Sequence, residues 1–344
     1  MPESETVAIS PVQLPEALCA NPDLLAPVAK LFPMRINAHV LSLIDAPDDP
    51  LARQFIPSPE ELSDQSRCCD PLNETGQSPT PLVVHRYPGR VIFLVSARCA
   101  AHCRFCMRKR SHITGAQVDA PALIDGFTYI QRNRRINEVI LSGGDPFMLD
   151  DASLLDILAA LRALPHLRIL RIHTRIPIVW PRRLTPSLVK RLADFHPLYI
   201  NVHINHPCEI TPETTRALRF MVDAGVPLGS QTVLLNKIND RASVLRTLFE
   251  GLLENRVRPY YLHQVDRVPG TAHHQVPVEK GLSLMHRLQG QISGMAMPRF
   301  MIDLPGGGGK IELLPDHIIQ KQANCWEVVN FNGQRFTYNP SQGL

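Results

Sequence analysis

Residues 90–106 read RVIFLVSARCAAHCRFC, and the reading of this stretch decides the rest of the chain. Val91–Val95 is an unbroken apolar run of strand length, as expected for a strand covered on both faces. Three cysteines follow directly, at positions 99, 103 and 106. Parallel α/β folds build their sites where strands end. Further strands are predicted at Glu138–Leu141, Ile169–His173, Leu198–His203, Leu228–Leu235 and Tyr260–Val265. Helices are predicted at Ala120–Asn133, Ala152–Ala163, Pro186–Phe195, Pro212–Ala224, Ala242–Asn255 and Val278–Ile292. Six strand–helix units in a row predict a parallel sheet with right-handed crossovers. Periodicity alone leaves an open doubly wound sheet and a partial barrel as alternatives. The polar residues favour the barrel, because nearly every strand delivers some at or near its carboxyl end: Cys99, Gly143 and Asp145, Thr174 and Arg175, His203, Gln231, Asp266.

Working outward, residues 1–80 are proline-rich, with short helical patterns at Pro15–Leu31 and Asn37–Ile44. Asp70–Pro81 (DPLNETGQSPTP) has turn composition and reads as a linker. The expected organisation is an N-terminal helical or irregular extension over 1–80 and a barrel over 81–303. A segment over 304–344 then carries GGGGK and a short C-terminal extension.

The chain has 344 residues, enough for a full-sized core at 44% apolar content. Its net charge of +4 is spread along the sequence, which argues against a nucleic-acid partner. The first residues lack the basic start and apolar core of a signal peptide. No run approaches the roughly 20 apolar residues of a membrane span. A cytoplasmic enzyme is expected, and its eight cysteines are then expected to be reduced. Cys19, Cys208 and Cys325 are isolated and read as plain buried thiols, and Cys68–Cys69 suggest no role.

The triplet is different. Three thiolates within eight residues, on a loop after a strand, suit three irons of a cubane. No further cysteine follows within a hundred residues, which leaves the fourth iron open to a ligand. The alternative is zinc on the three cysteines with His102 or His112, but closed zinc sites usually pair two ligand clusters. A second motif, Asp303-Leu-Pro-Gly-Gly-Gly-Gly-Lys310, is not a phosphate-binding P-loop, because Leu304 and Ile311 stand where that motif needs Gly and Ser or Thr.

With its surroundings, the triplet resembles the lysine 2,3-aminomutase family of radical S-adenosylmethionine enzymes. The resemblance rests on an ordered series over residues 70–335: HRYPGRVIFLV, CRFCMRKR, EVILSGGDPFML, RIHTRIPIVWPRRLTP, NVHINHPCEIT, GVPLGSQTVLLNKIND, RPYYLHQVD and DLPGGGGKI. It implies a partial (β/α)6 barrel of the TIM type. It also implies a 4Fe–4S cluster on Cys99, Cys103 and Cys106, S-adenosylmethionine on the open iron, and pyridoxal 5′-phosphate. In that family a 5′-deoxyadenosyl radical takes a β-hydrogen from an amino acid held as an imine, and the nitrogen migrates. By matching, Lys310 is the pyridoxal lysine, with Arg86, Tyr87 and Arg90 around the same cofactor. Ser142, Gly143, Gly144, Asp145, His203 and Gln231 match contacts to S-adenosylmethionine. The two glycines are expected to admit the methionyl amino group closely. Arg108 matches the arginine that binds the substrate carboxylate, and Asp266 and Asp303 match the pair that binds the ε-ammonium of lysine. His263 departs from a tyrosine common in the family.

The implied reaction is interconversion of L-lysine and β-lysine. The alternatives are the branch that modifies a lysine on elongation factor P, an aminomutase of another basic amino acid, or a non-catalytic iron–sulfur or zinc protein. A flavodoxin or ferredoxin is the expected electron donor, and a homo-oligomer is expected. The cysteine-rich zinc tail of longer members is not expected here.

Overall fold

The computed structural model describes residues 7–19, 21–63, 68–109, 118–322 and 325–339; the alternative zinc ligand His112 lies outside them. A nine-stranded sheet dominates, and its spatial order is its chain order. Its strands are β1 (Val83–Tyr87), β2 (Arg90–Ser96), β3 (Glu138–Gly143), β4 (Ile169–Thr174) and β5 (Leu198–His203). They continue with β6 (Leu228–Leu234), β7 (Val257–Gln264), β8 (Arg299–Leu304) and β9 (Gly309–Glu312). Strands β2 to β8 are parallel, and β1 and β9 flank them antiparallel. All six predicted strands are present, at nearly the predicted bounds.

Between them run α2 (Ala120–Arg132), α3 (Asp151–Arg162), α4 (Pro186–Leu192), α5 (Pro212–Asp223), α6 (Ala242–Glu254) and α7 (Val278–Leu288), with α1 (Pro22–Leu31) ahead of the sheet. Asp119, Asp150, Thr185 and Thr211 cap α2 to α5, each side chain accepting a backbone N–H from the first turn. The strands alternate. On β4, Leu170 and Ile172 are buried in the apolar layer with Leu154, Leu158 and Leu188 from the helices. Arg171 and His173 take the opposite face. There the Asn201 amide donates to His173 Nε2 at 3.2 Å. Gly229 makes room for that amide, since a Cβ would lie 2.7 Å from Asn201 Oδ1. The outer layer is thus apolar, and the inner face of the curved sheet is polar.

The sheet's two ends meet without pairing as strands. The Lys310 amide of β9 donates to the Tyr87 hydroxyl of β1 at 2.9 Å, and Arg86 of β1 reaches Asp303 of β8 at 3.5 Å. These contacts bring the sheet close to a complete barrel. The expected boundary at 303/304 falls inside β8, and the GGGGK segment enters the sheet as its last strand. After it, β10 (Ile318–Gln322), β11 (Cys325–Val329) and β12 (Arg335–Tyr338) form a separate antiparallel meander. Among the described residues, no helix is long and apolar enough to cross a membrane.

The N-terminal extension is clamped onto the cysteine loop. The carbonyls of Arg35 and Gln54 accept the amides of His102 and Arg104 at 2.8 Å each. Arg104 and Glu61 are fully buried and pair at 2.7 Å, and Lys109 Nζ joins Glu61 at 2.9 Å. Burial alone would raise the Glu61 pKa, but Arg104 and Lys109 hold it below the usual carboxylate range. Burial pushes Lys109 down to about 8. Glu61→Gln leaves two buried cations without their anion, a loss of roughly 3–5 kcal/mol. Thermal unfolding of this variant is expected well below that of the parent; an unchanged midpoint would show that the triad adds nothing.

Two expectations need correction. Asp70–Pro81 is no linker: Glu74 is buried, and the segment packs against β1, the cysteine loop and the glycine loop. Cys208 is exposed and Cys325 half-buried, and only Cys19 among the isolated thiols is fully buried. The Cys208 thiol lies 2.9 Å from His206 Nδ1.

Candidate active site

Where β7 and β8 end and β9 begins, beside β1, charged groups converge. Lys310 Nζ pairs with Asp303, which also takes Arg86, while His263 Nδ1 stands 3.8 Å away. Asp303 is 6% exposed and Lys310 31%, so the carboxylate is held inside while the amine remains reachable. Arg90 stacks on the Tyr87 ring at 4.4 Å, which sets the ring from behind. The Asp266 carboxylate lies within electrostatic reach of Asp303, Lys310 and Arg108 but has no ion pair among the described residues. Arg267, the cation next to it in sequence, is exposed. Burial first, and Asp303 second, push Asp266 up to about 7. Burial, aided by Lys310, drives His263 and His173 well below their ordinary values, so both imidazoles are neutral at pH 7.

The glycine-rich approach to Lys310 has a local cause. Gly306, Gly307 and Gly309 adopt φ of 67°, 88° and 89°, a region that side chains rarely enter. A Cβ on Gly307 would meet the Gln77 amide at 1.7 Å.

The cysteine loop leaves β2 beside this cluster. Burial raises the Cys99 thiol well above its usual pKa and lifts Cys106 to about 11; the other cysteines add to both shifts. Three thiolates so placed repel one another until cations take them. Among the described residues, no three His, Cys, Asp or Glu side chains close around a single ion. A cluster distributes its ligands over separate irons, so it needs its sulfurs farther apart than one ion does. Three thiols on one short loop, with no second ligand pair beside them in sequence, are a donor set that suits a cluster.

Cys103 Sγ accepts from Arg175 Nη1 at 2.7 Å. Arg175 lies between the Phe55 and Phe105 rings and donates to Gln54 and Glu209. Sequence reading found Arg175 only as a polar strand end. It missed Gln54, Glu74 and Gln77 altogether, since nothing in their local composition marks a residue that folds back onto a site.

Gly143 and Gly144 have a structural role beside the expected close ligand approach. A Cβ on Gly143 would lie 2.1 Å from the Ser96 carbonyl, and one on Gly144 would lie 2.3 Å from the Arg98 carbonyl. The amides of Gly144 and Asp145 donate to those two carbonyls at 2.6 and 2.8 Å. The glycines thus lock the end of β3 onto the cysteine loop. The Asp145 carboxylate is spent on the same scaffold, accepting from Thr174 Oγ1 and from the amides of Arg175 and Phe147. Ser142 Oγ accepts from Arg108 at 3.3 Å. His203 sits opposite Gln231 in register, near Phe105, and burial with Arg175 lowers it to about 3.

A family model described as Lysine-2,3-aminomutase matches residues 285–343, and one described as Radical SAM superfamily matches 93–246. The chain is 42% identical over 313 residues to the L-lysine 2,3-aminomutase of Acetoanaerobium sticklandii, covering 89% of this chain and 75% of that one. It is 42% identical over 321 residues to the L-lysine 2,3-aminomutase of Clostridium subterminale, covering 92% and 77%. It is also 40% identical over 297 residues to the glutamate 2,3-aminomutase of Clostridioides difficile, covering 86% and 70%.

Proposed function

Because this chain belongs to the lysine 2,3-aminomutase family of radical S-adenosylmethionine enzymes, we propose that it interconverts L-lysine and β-lysine. The enzyme is an isomerase of the radical aminomutase kind. One observation carries the choice of lysine: two carboxylates, Asp266 and Asp303, stand together beside Lys310. A second ammonium on the substrate suits that pair, whereas the side-chain carboxylate of glutamate would meet like charge.

When bound, the cluster and S-adenosylmethionine supply the radical and pyridoxal phosphate carries the amino group. Cys99, Cys103 and Cys106 would hold the cluster, and Arg175 steadies Cys103. Lys310 would hold the pyridoxal, with Arg86 and Tyr87 beside it. Ser142, His203 and Gln231 border the space expected for S-adenosylmethionine. Arg108 offers its guanidinium to the substrate carboxylate, and the neutral imidazoles of His173 and His263 add no competing charge. The deciding test is anaerobic turnover with S-adenosylmethionine and dithionite, offering L-lysine and L-glutamate separately. β-Lysine as the product supports the reading; turnover of glutamate and not lysine overturns it.

The raised Asp266 adds a pH dependence. An acid must be ionised to hold an ammonium, so lysine affinity is expected to fall as pH drops through about 7. One unit below that value about nine-tenths of the group is protonated, so binding at pH 6 should be up to about ten-fold weaker than at pH 8. Calorimetric titration with lysine at both values checks this, and Asp266→Asn should flatten the profile.

A further inference from the structure

Arg108 does not face the site as a free cation. Its Nε donates to Glu74 Oε2 at 3.1 Å and its Nη2 to Glu74 Oε1 at 2.7 Å, a fork on one edge of the guanidinium. Nη1 donates to Ser142 Oγ at 3.3 Å. Arginine has five N–H donors. The three bonds use one on each nitrogen, which leaves one N–H on each terminal nitrogen. Two parallel donors are what a carboxylate accepts end-on.

Glu74 is not placed to swing away. It is 4% exposed. Its amide donates to Asp70 Oδ1 at 2.9 Å, and its carbonyl accepts from Ser78 Oγ at 2.7 Å. The same turn is tied to the lysine loop, because the Pro71 carbonyl accepts from Gly306 N and Gln77 donates to the Gly307 carbonyl. Gln77 Oε1 also accepts from Arg86 Nε at 2.8 Å. One turn outside the barrel therefore holds Arg108, Arg86 and the approach to Lys310 in fixed relation.

We propose that Glu74 is a positioning residue for amino-acid recognition: by gripping the Nε–Nη2 edge of Arg108, it presents the remaining terminal donors to the substrate α-carboxylate. This deepens the lysine reading and rests on it. Glu74 selects for an α-carboxylate through its contact with Arg108; among the described residues it makes no contact with Asp266 or Asp303, which serve the ε-ammonium, and acts there only through its charge on Asp266. A guanidinium released from Glu74 keeps its charge but loses its orientation, so the loss falls on carboxylate-bearing ligands alone.

The test is calorimetric titration of the full-length protein, loaded with iron and pyridoxal phosphate, without S-adenosylmethionine so that nothing turns over. Two ligands are compared, L-lysine and 1,5-diaminopentane, the same molecule without its carboxylate. Glu74→Gln should weaken lysine roughly ten- to hundred-fold, as expected for losing a charge-assisted hydrogen bond. At pH 8, where Asp266 is ionised with or without Glu74, the diamine affinity and the iron and pyridoxal contents should be unchanged, and Glu74→Asp should fall between. Equal weakening of both ligands would overturn the proposal by making Glu74 a general structural residue. Unchanged lysine binding would also overturn it, as would tighter binding, which would make Glu74 a competitor for Arg108. Should the parent bind a different α-amino acid and not lysine, the lysine reading falls. The same comparison, made with that acid and its decarboxylated amine, then still decides Glu74.

Discussion

Replacing Cys103 by alanine is expected to give a protein that reconstitutes without a 4Fe–4S cluster and does not cleave S-adenosylmethionine. The same holds for Cys99 and Cys106. Each sulfur serves one iron, and neither of the later cysteines lies on this loop. The next cysteine in sequence, Cys208, lies exposed after β5, and Cys325 belongs to the C-terminal meander. Cys103 has a further consequence. Removing its sulfur leaves Arg175, a cation packed between two phenylalanines, facing an empty position. Glu209 and Gln54 still hold that cation, but a buried N–H loses its acceptor, so this variant should also melt somewhat below the Cys99 and Cys106 variants. Iron content, the reduced-cluster resonance and anaerobic release of 5′-deoxyadenosine read the outcome, with Cys208→Ala as the control that keeps all three. A variant that retains a reducible cluster would strike that cysteine from the ligand set.

Asp303→Asn is expected to raise the lysine requirement by a factor of hundreds. Losing one partner of a buried charge pair removes roughly 3–5 kcal/mol, and water entering the site recovers part of it, so the lower end applies. Asp303 also anchors Arg86 and Lys310, which Asp266 does not, so Asp303→Asn should exceed Asp266→Asn in effect. Iron content should not change, and borohydride reduction should still place the pyridoxyl group on Lys310. Norleucine, which lacks the second ammonium, should compete better against lysine in the variant than in the parent. Normal lysine turnover by both variants would remove the two aspartates from substrate recognition.

The central strands were legible because each carries apolar residues for the helix layer between turn residues, a pattern that burial of the outer face demands. The ends of the barrel were not. Strand β1 (VVHRY) is apolar only at its start, and β9 (GKIE) has almost no strand character, since each is an edge strand. Cys99, Cys103, Cys106 and Lys310 were legible through spacing and glycine content. Glu74 and Gln77 were not, because NETGQ reads as a turn and is a turn. What makes it part of the site is a contact with Arg108 across 34 residues and one with Gly307 across 230, and no local window contains either. The glycines after β3 were singled out for one reason and have a second: they sit against the cysteine loop's carbonyls, a demand that only the folded backbone reveals.

The junction of Tyr87 with Lys310 joins residues 223 apart in sequence. Each strand–helix unit closes a loop of roughly 30 residues, and closing the far longer one adds about 2 kcal/mol of chain entropy. Long-range contacts of this kind form late. A chain growing from its N-terminus has all the central strands before it has Lys310, so a curled sheet exists before the amine that would hold pyridoxal phosphate. Cofactor competence therefore waits for the strand that carries Lys310, which follows every parallel strand in the chain. Retention of pyridoxal phosphate should report completion of the whole barrel, while iron on the cysteine loop reports only its first half.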